Sequence, residues 1–141
     1  MQVSGRSGVK EAANKKGRII NISSVAAKRP GPLQTAYAAS KHGLIGLTQV
    51  WTQELGEHNI TVNAVCPGFI DSPMWKDHLG PAMAPVFGCE PSELIGNLAK
   101  AYMPLGRPQT AADIGQGVAY FCRADNTSGQ TLTIDGGHAM Y

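Results

Sequence analysis

The chain has 141 residues, 43% apolar and 16% charged, which fits one ordinary domain able to bury a core and excludes a disordered tail. Its net charge of +2 is too small to imply nucleic-acid or membrane-surface binding. The longest run without Asp, Glu, Lys or Arg is thirteen residues, His58 to Ile70, short of the roughly 20 that a spanning helix needs, and the opening residues do not read as a signal peptide.

Residues 1–16 carry little pattern. Arg6, Lys10, Lys15 and Lys16 make this lead basic, which reads as a solvated end, and Gly5-Arg6-Ser7-Gly8 reads as a loop. Arg18 to Ser24 is a short β-branched run after Gly17 and predicts a strand. Pro30, Gly31 and Pro32 place a loop between Lys28 and Gln34. From about Thr35 to Gly56 proline is absent, and Leu44, Leu47, Val50, Trp51 and Leu55 recur at helical spacing. That predicts a long amphipathic helix, closed by Asn59 in a left-handed backbone. Ile60 to Val65 predicts a second strand, stopped by Pro67-Gly68. Strand, helix, strand makes a βαβ unit, with parallel strands and a right-handed crossover.

Pro73, Pro81 and Pro85 mark Phe69 to Gly88 as irregular and mobile. Pro91-Ser92-Glu93 opens a short helix with Leu94, Ile95, Leu98 and Tyr102 on one side, ended by Pro104. Thr110 to Asp113 is a capping-box-like start with Asp in place of the usual Glu. Ile114, Val118, Phe121 and Cys122 then predict a helix with one buried face. Thr131 to Asp135 predicts a third strand before Gly136-Gly137.

Cys66, Cys89 and Cys122 are odd in number and widely spaced, which argues against a disulfide framework and for a reducing, cytoplasmic compartment. Each is expected to act as a small buried hydrophobe. His42, His58, His78 and His138 show no metal-ligand spacing, so no metal site is expected.

In open parallel sheets, ligands bind beyond the carboxyl ends of the strands. Ser24 ends the first strand, and Pro67-Gly68 follows the second. Tyr37 and Lys41 are one turn apart near the start of the crossover helix and share a face. A phenol is ordinarily too weak an acid for neutral-pH proton transfer, and a neighbouring ammonium favours its ionised form. Such a phenol can exchange a proton with an alcohol or carbonyl oxygen, and a serine hydroxyl can hold that oxygen. A proton shuttle with no metal most naturally partners a hydride carrier, a nicotinamide cofactor. Tyr-x-x-x-Lys is common in helices by chance, so spacing alone leaves a packed Tyr and a solvated Lys as the simpler reading.

The flanking words go further. Asn21-Ile22-Ser23-Ser24, Tyr37-Ala38-Ala39-Ser40-Lys41, Val62-Asn63-Ala64-Val65-Cys66-Pro67-Gly68, Leu105-Gly106-Arg107-Pro108 with Asp113-Ile114, and Ser128-Gly129-Gln130 leading to Asp135-Gly136-Gly137 stand in order. Together they closely resemble the C-terminal half of short-chain dehydrogenases/reductases, from about Gly17 to the end. The resemblance implies an α/β fold, a partial doubly wound, Rossmann-like parallel sheet of about three strands with flanking helices. It implies an NAD- or NADP-dependent interconversion of a secondary alcohol and a ketone.

In that reading Tyr37 is the acid/base, and Lys41 supports it and bonds the nicotinamide ribose. Ser24 orients the substrate oxygen, with Ser23 the neighbour to consider if the register slips. Pro67, Gly68 and the backbone of Ile70 line the nicotinamide, and Ser72 meets its carboxamide. Met74 and Trp75 contact substrate, within a lid spanning 69–104. For Asp135-Gly136-Gly137, a tight strand-ending turn and a ligand role stand equal. The partner set is a small alcohol or ketone and a second copy through the helix 35–57, with no nucleic acid or membrane.

The Gly-rich first half of the family is not recognised in this sequence, nor is the family's catalytic asparagine, for which Asn14 lies too close to Ser24. The chain is therefore expected to be a single truncated domain over 1–141 whose first strand has an exposed apolar edge. An alternative of a different class follows: a catalytically silent remnant serving oligomerisation or interaction.

Overall fold

The computed structural model describes residues 16–140. The lead containing Gly5-Arg6-Ser7-Gly8 and Asn14 lies outside the described residues. Three strands, β1 (Gly17–Ile22), β2 (Ile60–Pro67) and β3 (Thr131–Ile134), form one parallel sheet in the order β1-β2-β3. All eight residues of β2 are buried, as expected for a central parallel strand covered on both faces. Helix α1 (Thr35–Leu55) crosses from β1 to β2. It ends in a short 3-10 turn, Gly56–His58, and Asn59 takes φ 59 before β2 begins, as its tolerance for the left-handed region predicts.

The two faces of the sheet have different covers. Asn21 donates from Nδ2 to Thr48 Oγ1 at 2.9 Å, and Thr52 Oγ1 donates to Val62 O at 3.1 Å, so α1 lies over the face that carries Asn21. On the other face, Ile20, Val65, Leu132 and Ile134 pack with Ile114, Val118 and Phe121 of α4 (Ala111–Arg123). A Cβ on Gly117 would meet Ile134 Cδ1 at 2.5 Å, so the missing side chain lets α4 approach β3 closely. Cys122, counted on the buried face from its spacing, is exposed. The face is centred on Ile114, Gly117 and Phe121, one position away. The seam of α1 also differs from its pattern: Thr48 is its fully buried residue and Val50 is exposed, because a polar contact with Asn21 holds it to the sheet.

The segment expected to be irregular over 69–88 is largely helical instead, and the short helix expected after Pro91-Ser92-Glu93 is present. A π-helical turn, Met74–Leu79, runs directly into α2 (Gly80–Phe87), and α3 (Leu94–Tyr102) follows. Pro73 precedes the turn and Pro81 sits in the first turn of α2, positions that suit proline, whereas Pro85 stands inside α2 and removes one backbone donor from it. Within α3, Leu94 and Leu98 are buried, whereas Tyr102 is exposed at its end.

Among the described residues β1 pairs only with β2, and Ile22 is 45% exposed. The apolar edge expected from sequence is therefore open there.

The start of α4 gives a test of stability. Thr110 Oγ1 accepts from Asp113 N at 3.2 Å, and Asp113 Oδ2 accepts from Thr110 N at 2.8 Å, which is a complete capping box. Thr110→Ala should lower unfolding free energy by about 1 kcal/mol in urea titration. The Thr110 backbone N–H also holds the Asp113 carboxyl below the usual carboxylate range. Its contribution is then complete above a pH of about 4 and lost as pH falls through the lowered value. The stability gap between wild type and Asp113→Asn should accordingly narrow in acid.

Candidate active site

The candidate residues stand at the carboxyl ends of the parallel strands and at the start of α1. Tyr37 is the third residue of α1 and is 47% exposed. One turn on, Lys41 Nζ stands 5.8 Å from the Tyr37 ring centroid and donates to Ile22 O at 3.1 Å. That carbonyl fixes the ammonium between the strand end and the phenol, and it engages one of three donors.

Ser24 is buried, in extended conformation, and caps a single 3-10 turn, Val25–Ala27. Its Oγ accepts from Ala26 N at 3.1 Å, which leaves the O–H to donate elsewhere. Ser23 differs: its Oγ donates to Lys41 O at 2.7 Å, so its hydrogen is committed to holding α1. Of the two neighbouring serines, Ser24 keeps the available hydroxyl. Among the described residues, no direct hydrogen bond joins Ser24 to Tyr37 or Lys41; the link runs through Ser23 and the strand end.

Pro67 ends β2, and Gly68 donates from its N–H to Ile134 O at 2.9 Å. A Cβ on Gly68 would meet Asp135 Cβ at 2.7 Å and Asp135 Cα at 2.9 Å. Glycine is thus required here by the protein's own packing. Ile70 bridges Gln109 in parallel, with the hydrogen bonds running from Gln109 N to Phe69 O at 2.8 Å and from Asp71 N to Gln109 O at 2.9 Å. In that pattern the residue's own N–H and C=O face the opposite side, so the Ile70 backbone is left to bind something else. Ser72 O accepts from Trp75 N at 3.0 Å and starts the helical turn that carries Met74 and Trp75.

Asp135 is buried, and its carboxylate accepts from Gly137 N at 3.0 Å and Ala139 N at 2.7 Å. Of the two open roles for Asp135-Gly136-Gly137, this geometry is that of a tight turn. The turn carries something that spacing did not reveal. His138 stands 5.5 Å from the Phe69 ring and 6.0 Å from the Tyr102 ring, and Trp75 meets Phe69 edge-on at 5.7 Å. Arg29 donates to His138 O, tying this aromatic wall to the Ser24 loop. Its members come from three distant segments, around 69–75, 102 and 138, so no local pattern could have grouped them. A separate cleft of about 410 Å³, lined by residues including Leu105, Gln109, Tyr120 and Ile134, contains none of the candidate residues.

Burial pushes the Cys66 thiol above its ordinary range, opposed by the Ser23 hydroxyl. Cys66 is fully buried beside these serines and Cys122 is exposed. A thiol reagent should therefore modify Cys122 in the native chain and Cys66 only in denaturant. Fast native labelling of Cys66, read by peptide mass, would contradict this packing.

Residues 4–139 match the family model described as enoyl-(acyl carrier protein) reductase. The 3-oxoacyl-(acyl-carrier-protein) reductase FabG of Thermotoga maritima is 40% identical over 124 residues, which cover 86% of this chain and 45% of that protein. Sorbitol-6-phosphate 2-dehydrogenase from Erwinia amylovora has a similar structure, with TM-score 0.86 and 30% identity over 95% of this chain and 53% of that one. So does a variant of actinorhodin polyketide ketoreductase solved with NADPH, with TM-score 0.83 and 32% identity over 92% of this chain and 49% of that one. The chain spans about half the length of the curated relatives it matches.

Proposed function

The chain belongs to the short-chain dehydrogenase/reductase family, and on that premise we propose that it serves an NAD- or NADP-dependent oxidoreductase interconverting a secondary alcohol and a ketone. The observation that carries this reading is Lys41, held at 3.1 Å by Ile22 O and 5.8 Å from the Tyr37 ring. The ammonium stabilises negative charge developing at Tyr37 Oη. Tyr37 then delivers its proton to a carbonyl oxygen, or takes one from an alcohol. Ser24 donates its free O–H to the same oxygen and holds it in place.

A bound nicotinamide supplies the hydride chemistry. The residues present fit such a group on its nicotinamide side. The unspent Ile70 backbone and the Ser72 hydroxyl would hold the carboxamide, Pro67 and Gly68 would line the ring, and the remaining Lys41 donors would reach the ribose. The segment 69–104, with Met74 and Trp75, forms the lid over substrate. Its aromatic contacts with His138 give it a seat. The FabG and polyketide ketoreductase names of its relatives favour a ketone as the substrate group reduced.

In this reading the protein works in the cytoplasm, and a second copy docks on the outer face of helix 35–57, where Val50 is exposed. Among the described residues no helix is long and apolar enough to cross a membrane. The test is ketone-dependent oxidation of reduced nicotinamide by the 141-residue chain, with Tyr37→Phe as control. The open β1 edge and the half-length span favour a second reading, a silent assembly module. Equal inactivity of both proteins, with wild type folded, would select it.

A further inference from the structure

His42 follows Lys41 directly, and the reaction above gives it no part. Its Nδ1 lies 2.6 Å from Ala27 O. A carbonyl only accepts, so Nδ1 carries the hydrogen. Ala27 ends the turn that Ser24 caps. Four amides hold that turn: Ala26 N on Ser24 Oγ at 3.1 Å, Ala27 N on Ser24 O at 3.0 Å, and Lys28 N and Arg29 N on Val25 O, both at 2.8 Å. On the α1 side, Lys41 grips Ile22 through Nζ and Ser23 through its carbonyl. Two consecutive residues of α1 therefore hold the segment 22–27 at three points. Two of these lie before Ser24, and only the imidazole lies beyond it. Without that third point α1 no longer grips the turn beyond Ser24, which is then held there by the Arg29 bond to His138 O and by the packing of its buried residues, and the Ser24 hydroxyl is less tightly placed against α1.

We infer that His42 is a positioning residue whose hydrogen bond to the Ala27 carbonyl fixes the Ser24-capped turn against α1 and thereby sets the Ser24 hydroxyl relative to Tyr37 and Lys41. The catalytic consequence rests on the proposed reaction, whereas the positioning itself does not. His42 sits on the helix side of the turn and acts through Ser24, with no contact to substrate required. Asn offers a donor near the place of Nδ1, and Leu offers none.

The experiment compares wild type, His42→Leu and His42→Asn by NMR amide hydrogen exchange, thermal unfolding and ketone-reduction kinetics. His42→Leu should speed exchange of the Ala26, Ala27, Lys28 and Arg29 amides by about tenfold or more, leave the amides around Thr48 unchanged, and be restored by His42→Asn. In the same variant kcat should fall roughly 10- to 100-fold with KM nearly unchanged. Unaltered exchange at those four amides, or no rescue by Asn, overturns the inference. A variant-free measurement covers the case in which His42→Leu fails to fold. Imidazole nitrogen shifts of the wild type should show hydrogen on Nδ1, and hydrogen on Nε2 alone overturns the bond. If the wild type reduces no ketone, the proposed reaction fails, and the exchange and nitrogen-shift results still decide the positioning.

Discussion

Tyr37→Phe should lower ketone reduction by about 10²- to 10⁴-fold, the usual contribution of a positioned general acid, while thermal unfolding stays where it was. The substitution removes one oxygen and keeps the ring. Tyr37 is nearly half exposed, and its hydroxyl makes no hydrogen bond among the described residues, so no buried partner is orphaned. Lys41 keeps its own hold on Ile22 O, so the strand end does not move. The loss should thus appear in kcat, with KM little changed, because the proton is needed as charge develops on the substrate oxygen. Tyr120→Phe is the matched control: it is also about half exposed but stands on α4, and it should change nothing. Equal rates for wild type and Tyr37→Phe would remove the phenol from the chemistry.

Phe121→Ala should have the opposite signature, losing roughly 3–5 kcal/mol of stability. Phe121 is 2% exposed and packs with Val65 and Ile114, with Ile20, Leu132 and Ile134 around the cluster. The cluster thereby joins side chains from all three strands. A small domain has only about 5–15 kcal/mol in total, so urea titration should show a chain partly or largely unfolded in buffer. Activity would fall with the folded fraction rather than at constant fold. Retention of a native midpoint would mean that the core on the α4 face contributes far less than its burial indicates.

Much of this architecture is legible in the residues themselves. β1, α1, β2, α3, α4 and β3 are each signalled by a local pattern, α1 and β2 closing beside Gly or Pro, and all six form within a few residues of their expected bounds. The helices between 74 and 87 were hidden because proline is read as a breaker, although Pro81 occupies the first turn of α2, which tolerates it, and Pro85 is accommodated inside the same helix. The candidate site divides in the same way. Tyr37 and Lys41 are near neighbours on one helix, so sequence spacing reports their geometry. The grip of His42 on Ala27 spans fifteen residues and the contact of His138 with Tyr102 spans 36. Such pairings depend on how the sheet brings separate segments together, and no local pattern encodes them.

The covers on the two faces of the sheet carry a topological consequence. The order β1-β2-β3 takes two steps in the same direction, yet α1 spans the first over one face and α4 reaches β3 over the other. Two such steps have opposite hands, so one of them winds against the near-universal rule for parallel connections. What selects this winding is the alternation in a strand of four residues. Leu132 and Ile134 face α4, whereas Thr131 and Thr133 face away. Wound the other way, α4 would meet two threonines, and the apolar pair would be left to solvent.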